Sequence, residues 1–455
     1  LKVIIIGAGE VGFHIARRLS TESKEVVVID KDANALKRIT EYLDVQTVAG
    51  SGSDPAILDA AGVAEADVLL AVTDSDEINI IACTFAKALA PDIVKLARIR
   101  KDEYIDFQET RGTVVLPIDK IINPDVEVVK TIERIISLPD AEEVNEFADG
   151  HVKLIGLNVS GNSPVVGSGL AGIRDEMGGV DIIIAAIVRG EKLIIPSGED
   201  FIHKGDLVYF VCRDEDLPAI MKHFGSHFRP VRDVLIIGGG DIGLRLAQRL
   251  ERMKNMHVKL VDQGAESCQE LAQILDRTLV LRGDGTDQEL LLEENVPDMD
   301  MVISLTGDEE TNILTSLLAK NLGAARAVTR IDKFAYFPLV RAIGIENTVS
   351  PRLSAVNSIL QYMRQGKVLS AASIKGEAAE ALEAVAQEHS DIVGKSVKDL
   401  HLPKGALILA LVRGEKVIFP TGDTVIHPGD RIILLSTAKN ISRVEKRLTV
   451  KLETF

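Results

Sequence analysis

A chain of 455 residues exceeds what one hydrophobic core usually serves, and about three domains is the expectation from length. Apolar residues make up 46% of it, ample for folding, while the net charge of −16 argues against nucleic acid as main partner and against direct docking on anionic lipid. The three cysteines, Cys83, Cys212 and Cys268, are scattered among apolar or helical surroundings. They suggest neither a metal site nor a disulfide framework, and they fit buried thiols in a reducing compartment.

The first strand, Val3-Ile4-Ile5-Ile6, runs straight into Gly7-Ala8-Gly9-Glu10-Val11-Gly12 and then a helix that includes His14 to Leu19. Strand, G-x-G-x-x-G and helix together are far more specific than the glycines alone. In this turn the first glycine allows a tight reversal, the second lets backbone approach a pyrophosphate, and the third lets helix pack on strand. The helix N-terminus offers free N–H groups to phosphate. An acid is expected about 20 residues further on, to bind ribose hydroxyls; the strand Val26 to Ile29 ends in Asp30. A carboxylate there repels a 2′-phosphate, which favours NAD(H) over NADP(H).

A helix over Ala33 to Tyr42 follows, then a short strand, Val45 to Val48, closed by Gly50-Ser51-Gly52. Asp54-Pro55 reads as N-cap and first helical position. Asp67 to Val72 is a fourth strand ending at Thr73-Asp74, Glu77 to Leu89 a buried helix, and Ile93 to Arg98 a fifth strand. This alternation means a parallel doubly wound sheet, whose ligands sit outside the carboxyl ends of the strands. Gly7, Asp30, Thr73 and Arg98 therefore share one rim. An amphipathic helix runs from Asn123-Pro124 to Ile136, a crossover to the next domain or to a partner subunit; Asp140 to Asp149 is a polar, acidic stretch. His151 to Cys212 reads as a compact α+β module, with strands at Val152 to Val159, Asp181 to Val188, Lys192 to Ile195 and Leu207 to Val211.

After Arg229-Pro230 the pattern restarts. The strand Val234 to Ile237 enters Gly238-Gly239-Gly240-Asp241-Ile242-Gly243, and the strand from Val258 ends in Asp262. The run Val72-Thr73-Asp74 to Ile80 returns as Leu305-Thr306-Gly307 to Ile313, Ala97-Arg98-Ile99 as Thr329-Arg330-Ile331, and Arg189-Gly190-Glu191 as Arg413-Gly414-Glu415. The reading is α/β: two Rossmann-like doubly wound parallel sheets, each followed by a small α+β module, in tandem duplication. The expected domains are residues 1–138, 139–228, 229–368 and 369–455.

Candidate cofactor residues follow from the rim: Gly7, Ala8, Gly9, Glu10, Val11, Gly12, Asp30, Thr73, Asp74 and Arg98 in the first copy. In the second they are Gly238, Gly239, Gly240, Asp241, Ile242, Gly243, Asp262, Thr306 and Arg330. Arg98 and Arg330 would meet phosphates or base, or stand as ordinary surface arginines. Thr73-Asp74 and Thr306 would contact ligand or cap the following helix. His203 and His427 sit in turns that enter the last strand of each module. No metal-ligand spacing, G-x-S-x-G or Walker loop occurs. No catalytic residue is assigned, because the small modules offer no cleft bringing a proton donor to a nicotinamide. The arrangement suggests a sensor more than an enzyme; the alternatives are an NAD-dependent dehydrogenase with an unfamiliar substrate domain, and a scaffold with relic sites.

Nearly the whole chain resembles the tandem regulator-of-potassium-conductance (RCK) proteins, specifically the TrkA-type regulatory subunits of Trk potassium uptake. The resemblance rests on both G-x-G-x-x-G units, both ribose aspartates, the Asp-Glu-x-x-Asn-like run after the fourth strand, and the Arg-Gly-Glu and Gly-Asp turns of the modules. It implies a cytoplasmic homotetrameric ring, peripheral to the inner face of the cell membrane through a TrkH- or TrkG-like potassium-translocating subunit, with no membrane insertion of its own. NAD(H), and ATP or ADP, would gate that partner by reshaping the ring. Some relatives carry arginine inside the glycine loop, where this chain has Glu10 and Asp241, acids that would repel a triphosphate. The segment Gly50 to Asp54 lacks the acid that Asp284 supplies in the second copy, so the two sites are expected to differ in preference.

Overall fold

Alternating apolar runs and amphipathic helices set the architecture. The computed structural model describes residues 1–22, 24–110, 116–225, 231–345, 347–364, 370–374, 378–441 and 443–444. Arg229-Pro230 and the expected boundary at 368/369 lie outside these. The chain divides into two compact units, Leu1–Glu133 with Val231–Leu360, and Arg134–Pro230 with Gln361–Phe455. Like segments thus assort with like.

In the first unit, β1 (Lys2–Ile6), β2 (Glu25–Asp30), β3 (Gln46–Ala49), β4 (Val68–Ala71), β5 (Val94–Arg98) and β6 (Lys120–Ile122) form a sheet in the order 3-2-1-4-5-6. Every pairing is parallel. Val3, Ile4, Ile5 and Ile6 are wholly buried because both faces carry helices, as continuous apolar runs in parallel sheets require. Strand order reverses between β1 and β4, and each glycine loop leaves the sheet at such a reversal.

In the second unit, β7 (Ala141–Phe147), β8 (Val152–Asn158), β9 (Ile183–Arg189), β10 (Lys192–Ile194) and β11 (Leu207–Arg213) form an antiparallel sheet in the order 10-9-11-8-7. The second copies repeat both designs. β12 (Asp233–Ile237), β13 (His257–Asp262), β14 (Leu279–Arg282), β15 (Met301–Ser304), β16 (Ala327–Arg330) and β17 (Asn347–Val349) form the second parallel sheet, 14-13-12-15-16-17, in the first unit. β18 (Ser370–Ile374), β19 (Ala379–Val385), β20 (Ala406–Arg413), β21 (Lys416–Ile418) and β22 (Arg431–Thr437) form the second antiparallel sheet, 18-19-22-20-21, in the second unit.

The polar, acidic stretch after Asp140 forms strand β7. It is an edge strand whose Glu142 and Glu146 are exposed while Phe147 alone is deeply buried, so it lacks the apolar alternation that marks a strand in sequence. The helix Asp102–Thr110 and the short β6 also went unanticipated.

The two antiparallel sheets share one core, in which Phe147, Leu154 and Tyr209 meet Leu409, Phe419 and Leu435. A charged strap reinforces it. The turn after β7 places Ala148 and Asp149 at φ 51° and 57°, a conformation that costs non-glycine residues of order 1 kcal/mol or more. The Ala148 N–H donates to Glu383 (3.1 Å), and Arg431 bridges Glu383 and Asp149.

The repeated Arg-Gly turn and Gly-Asp motif prove to be one device. Arg189 clasps Asp206 through two bonds of 2.8 Å, and the His203 backbone N–H donates to the same carboxylate at 2.8 Å. Arg413, Asp430 and His427 repeat it. Burial would raise the Asp206 carboxyl, but Arg189 and the His203 N–H outweigh it and hold it below the ordinary value. Arg189→Ala leaves a carboxylate in a fully buried residue without its cation and should cost about 3 kcal/mol in urea unfolding. Since the folded pKa is depressed, this stabilisation is fully present above the unfolded carboxylate pKa. It disappears as pH falls through the folded pKa, so the wild-type and variant midpoints should converge in acid.

Candidate functional site

The glycine loop after β1 is shaped by contacts that only glycine allows. Gly7 sits at φ +109°, and a Cβ on Gly12 would lie 1.8 Å from the Gly7 carbonyl oxygen. A Cβ on Gly9, by contrast, would meet nothing within 4 Å. The middle glycine therefore borders open space at the N-terminus of the helix Glu10–Thr21, whose N-cap is Gly9 with no side-chain cap. That is the cradle a pyrophosphate requires. In the second copy Gly238, Gly243 and Gly240 repeat these three situations.

The strand-end aspartates do two things. Asp30 accepts the Ala8 N–H at 2.6 Å and the Asp32 N–H at 2.8 Å. Asp262 accepts the Gly239 and Gly264 N–H groups at 2.7 and 2.8 Å. Each carboxylate thus braces its glycine loop, and with about four lone-pair positions it retains capacity for sugar hydroxyls.

Thr73 and Thr306 lie against the first glycine of each loop. Neither caps a helix: Ser75 and Asp308 do that, accepting the N–H groups of Ile78 and Thr311. Each threonine is instead fixed by an asparagine that sequence reasoning did not assign to the site. Asn79 Oδ1 accepts the Thr73 N–H (3.0 Å) and hydroxyl (2.7 Å), while its Nδ2 donates to the Thr73 and Arg98 carbonyls at 3.1 and 2.8 Å. Asn312 repeats the pattern with Thr306 and Arg330. These fully satisfied amides tie β4 to β5 and β15 to β16 at the rim. The signal was available, since both asparagines close the repeated Asp-Glu-x-x-Asn-like run.

The arginines diverge. Arg98 is buried, pairs with the exposed Asp74 at 2.9 Å, and keeps an Nε with no hydrogen-bond partner among the described residues. Arg330 pairs with Asp332 at 2.8 Å, because Gly307 replaces Asp74 in the second copy. Glu10 is not a free negative charge. Arg38 bonds it at 2.5 Å and lies 4.2 Å over the Phe13 ring, and that bond first of all holds the Glu10 carboxyl below its ordinary value. Asp125 is the opposite case, raised by burial, with Arg100, Arg330 and Arg245 opposing and Asp241 adding to the shift.

A cleft of about 670 Å³ opens at the second loop, within the size range of small-molecule sites. Gly238, Gly240, Asp241, Ile242, Asp262, Thr306 and Arg330 line it; Gly239 and Gly243, of the residues expected there, do not. Arg100 and Asp125, from the first copy, line it too. No group of three or more His, Cys, Asp or Glu suited to a metal occurs among the described residues, and no described helix is long and apolar enough to cross a membrane.

The TrkA-N domain model matches residues 3–124 and 234–351, and the TrkA-C domain model matches 154–225 and 381–449. The Trk system potassium uptake protein TrkA of Halomonas elongata is 39% identical over 459 residues, covering 100% of both chains. The chain belongs to the TrkA family. The TrkA homolog 1 of Methanosarcina mazei is 39% identical over 452 residues, 98% of this chain and 99% of that one. Among solved structures, the GsuK channel bound to NAD matches with a TM-score of 0.60 at 19% identity, over 98% of this chain and 78% of that one; at that distance the likeness concerns fold. The observed sheets accord with it: the parallel sheets carry the TrkA-N matches, the antiparallel sheets the TrkA-C matches.

Asn79→Ala should strip the first TrkA-N rim of four hydrogen bonds and leave the Thr73 N–H unpaired. Thermal unfolding should register a loss of about 2–3 kcal/mol, with faster amide exchange at Thr73 and Gly7.

Proposed function

We propose that this chain is a nucleotide-sensing regulatory subunit of a potassium uptake system, and not an enzyme. The observation that carries the reading is the duplicated rim: a glycine cradle open at its middle glycine, braced by a strand-end aspartate and bordered by an asparagine-locked threonine. In the second TrkA-N domain these residues converge on one cleft. The strand-end aspartates favour NAD(H), and ATP or ADP are further ligands. The neutralisation of Glu10 by Arg38 removes the charge that would have opposed a more phosphorylated ligand at the first site.

In this reading Asp30 and Asp262 hold the ribose, the N–H groups after Gly9 and Gly240 take the phosphates, and Thr73 and Thr306 position the adjoining edge. Nucleotide then favours whichever arrangement of the assembly it binds better. Moving a two-state assembly from 10:90 to 90:10 needs differential binding of about 2.6 kcal/mol, within reach of a few phosphate and ribose contacts. The partner is a TrkH- or TrkG-like membrane subunit, and a homotetrameric ring at the inner face of the membrane is the working assembly. The family membership and the relatives' potassium-uptake names support this.

Calorimetric titration with NADH, NAD⁺, ATP and ADP tests it. Wild type should bind, and Asp30→Ala and Asp262→Ala should each remove one class of site while the far-ultraviolet circular dichroism stays unchanged. Absence of binding in wild type would overturn the reading.

A further inference from the structure

We infer that Arg100, a residue of the first TrkA-N domain, is a phosphate-binding cation of the second glycine-loop cleft, so that a nucleotide held there bridges the two TrkA-N domains. The inference rests on the nucleotide reading above and adds a residue and a coupling to it.

The two domains lie in one compact unit, in which each glycine-loop helix contacts the other domain. Arg245, on the helix Asp241–Leu250 that follows the second glycine loop, forms an ion pair with Asp102 of the first domain. At the equivalent place in the other copy, His14 stacks on Phe334 with ring centroids 3.8 Å apart. The Asp102 contact brings the segment two residues after Arg100 onto the helix whose N-terminus opens into the cleft. Arg100 and Asp125 accordingly line that cleft.

Three arginines line it in all, and they are not equally available. Arg330 is occupied by Asp332. Arg352 donates to the Asp332 carbonyl at 3.5 Å and acts electrostatically on Glu10 of the other glycine loop. Arg100 is held at its base, while its charged head acts electrostatically on Asp125 of the same wall. Its N–H donates to Asp76 at 2.9 Å, and its carbonyl accepts from Asn123 Nδ2 at 3.1 Å. Its guanidinium has no hydrogen-bond partner among the described residues, and it is exposed. A fixed backbone with a guanidinium that makes no hydrogen bond among the described residues, at the wall of a glycine cradle, is what a planar phosphate clamp requires.

Charge gives the reason. Among the described residues no arginine pairs with Asp241 of the second loop as Arg38 pairs with Glu10 of the first, and Asp125 adds a further acid to the same wall. A pyrophosphate entering between them needs a counter-charge that the second domain has already spent on Asp332. The repeat equivalent of Arg100 is Asp332 itself, so this sequence position supplies the cation in one copy only.

The test is calorimetry on the full chain in an Asp30→Ala background, which leaves the second site to be read alone, with ADP and adenosine as probes. Arg100→Ala should weaken ADP by about tenfold or more and leave adenosine unchanged. Arg100→Lys should restore much of the loss, and the salt dependence of ADP binding should flatten in the alanine variant. Unchanged ADP affinity in Arg100→Ala, with Asp262→Ala abolishing binding, would overturn the assignment while the nucleotide reading stood. No ADP binding with Arg100 intact would instead remove the nucleotide reading of this cleft, and the assignment with it.

Discussion

The carboxylate at the end of the second strand of each parallel sheet is the constraint on which the candidate sites depend. Asp30 and Asp262 accept backbone N–H groups from the glycine loop on one side and from the following turn on the other. A glycine-rich turn loses more conformational entropy on ordering than any other, so it needs such a tether to hold one shape. The tether also places a negative charge where ribose hydroxyls would donate. Loop geometry and ligand chemistry are therefore not separable at these two positions, and the threonine–asparagine lock on the neighbouring strand end completes the rim.

Much of this was legible in the sequence because it rests on local rules. The glycine spacing, the strand-end aspartates and the duplication are read without coordinates, and the parallel topology follows from alternating strands and helices. What escaped detection depends on tertiary neighbours. β7 is an acidic edge strand with only Phe147 deeply buried, so its period is hidden. Asn79 and Asn312 look like ordinary helix residues until their amides are seen to span two strand ends. Glu10 reads as repulsive until Arg38, on a different helix, is found against it. Arg100 carries no motif, and its interest lies in the cleft it lines on the other copy.

Duplication gave the chain two of each part, and the parts pair by type. The antiparallel sheets share one apolar core, strapped by Glu383, Arg431 and Asp149. Each glycine-loop helix contacts the other parallel-sheet domain through different chemistry: an aromatic stack, His14 on Phe334, and an ion pair, Arg245 with Asp102. The two rims have diverged in the same way. One arginine is buried against an exposed aspartate and the other is paired within its own strand end. On the proposed reading, two inequivalent rims in one chain can respond to different nucleotides or to different ranges of one, which a symmetric pair could not.

The central claim is that nucleotide occupancy of these rims controls potassium movement through a membrane partner. Potassium flux into liposomes holding a TrkH-like subunit and this protein, with NADH or ATP supplied on the face that carries the protein, tests it most directly. The account predicts flux that changes with nucleotide for wild type and is indifferent to it for the Asp30→Ala, Asp262→Ala double variant. Equal nucleotide dependence in both proteins would contradict it, as would flux that ignores nucleotide in both.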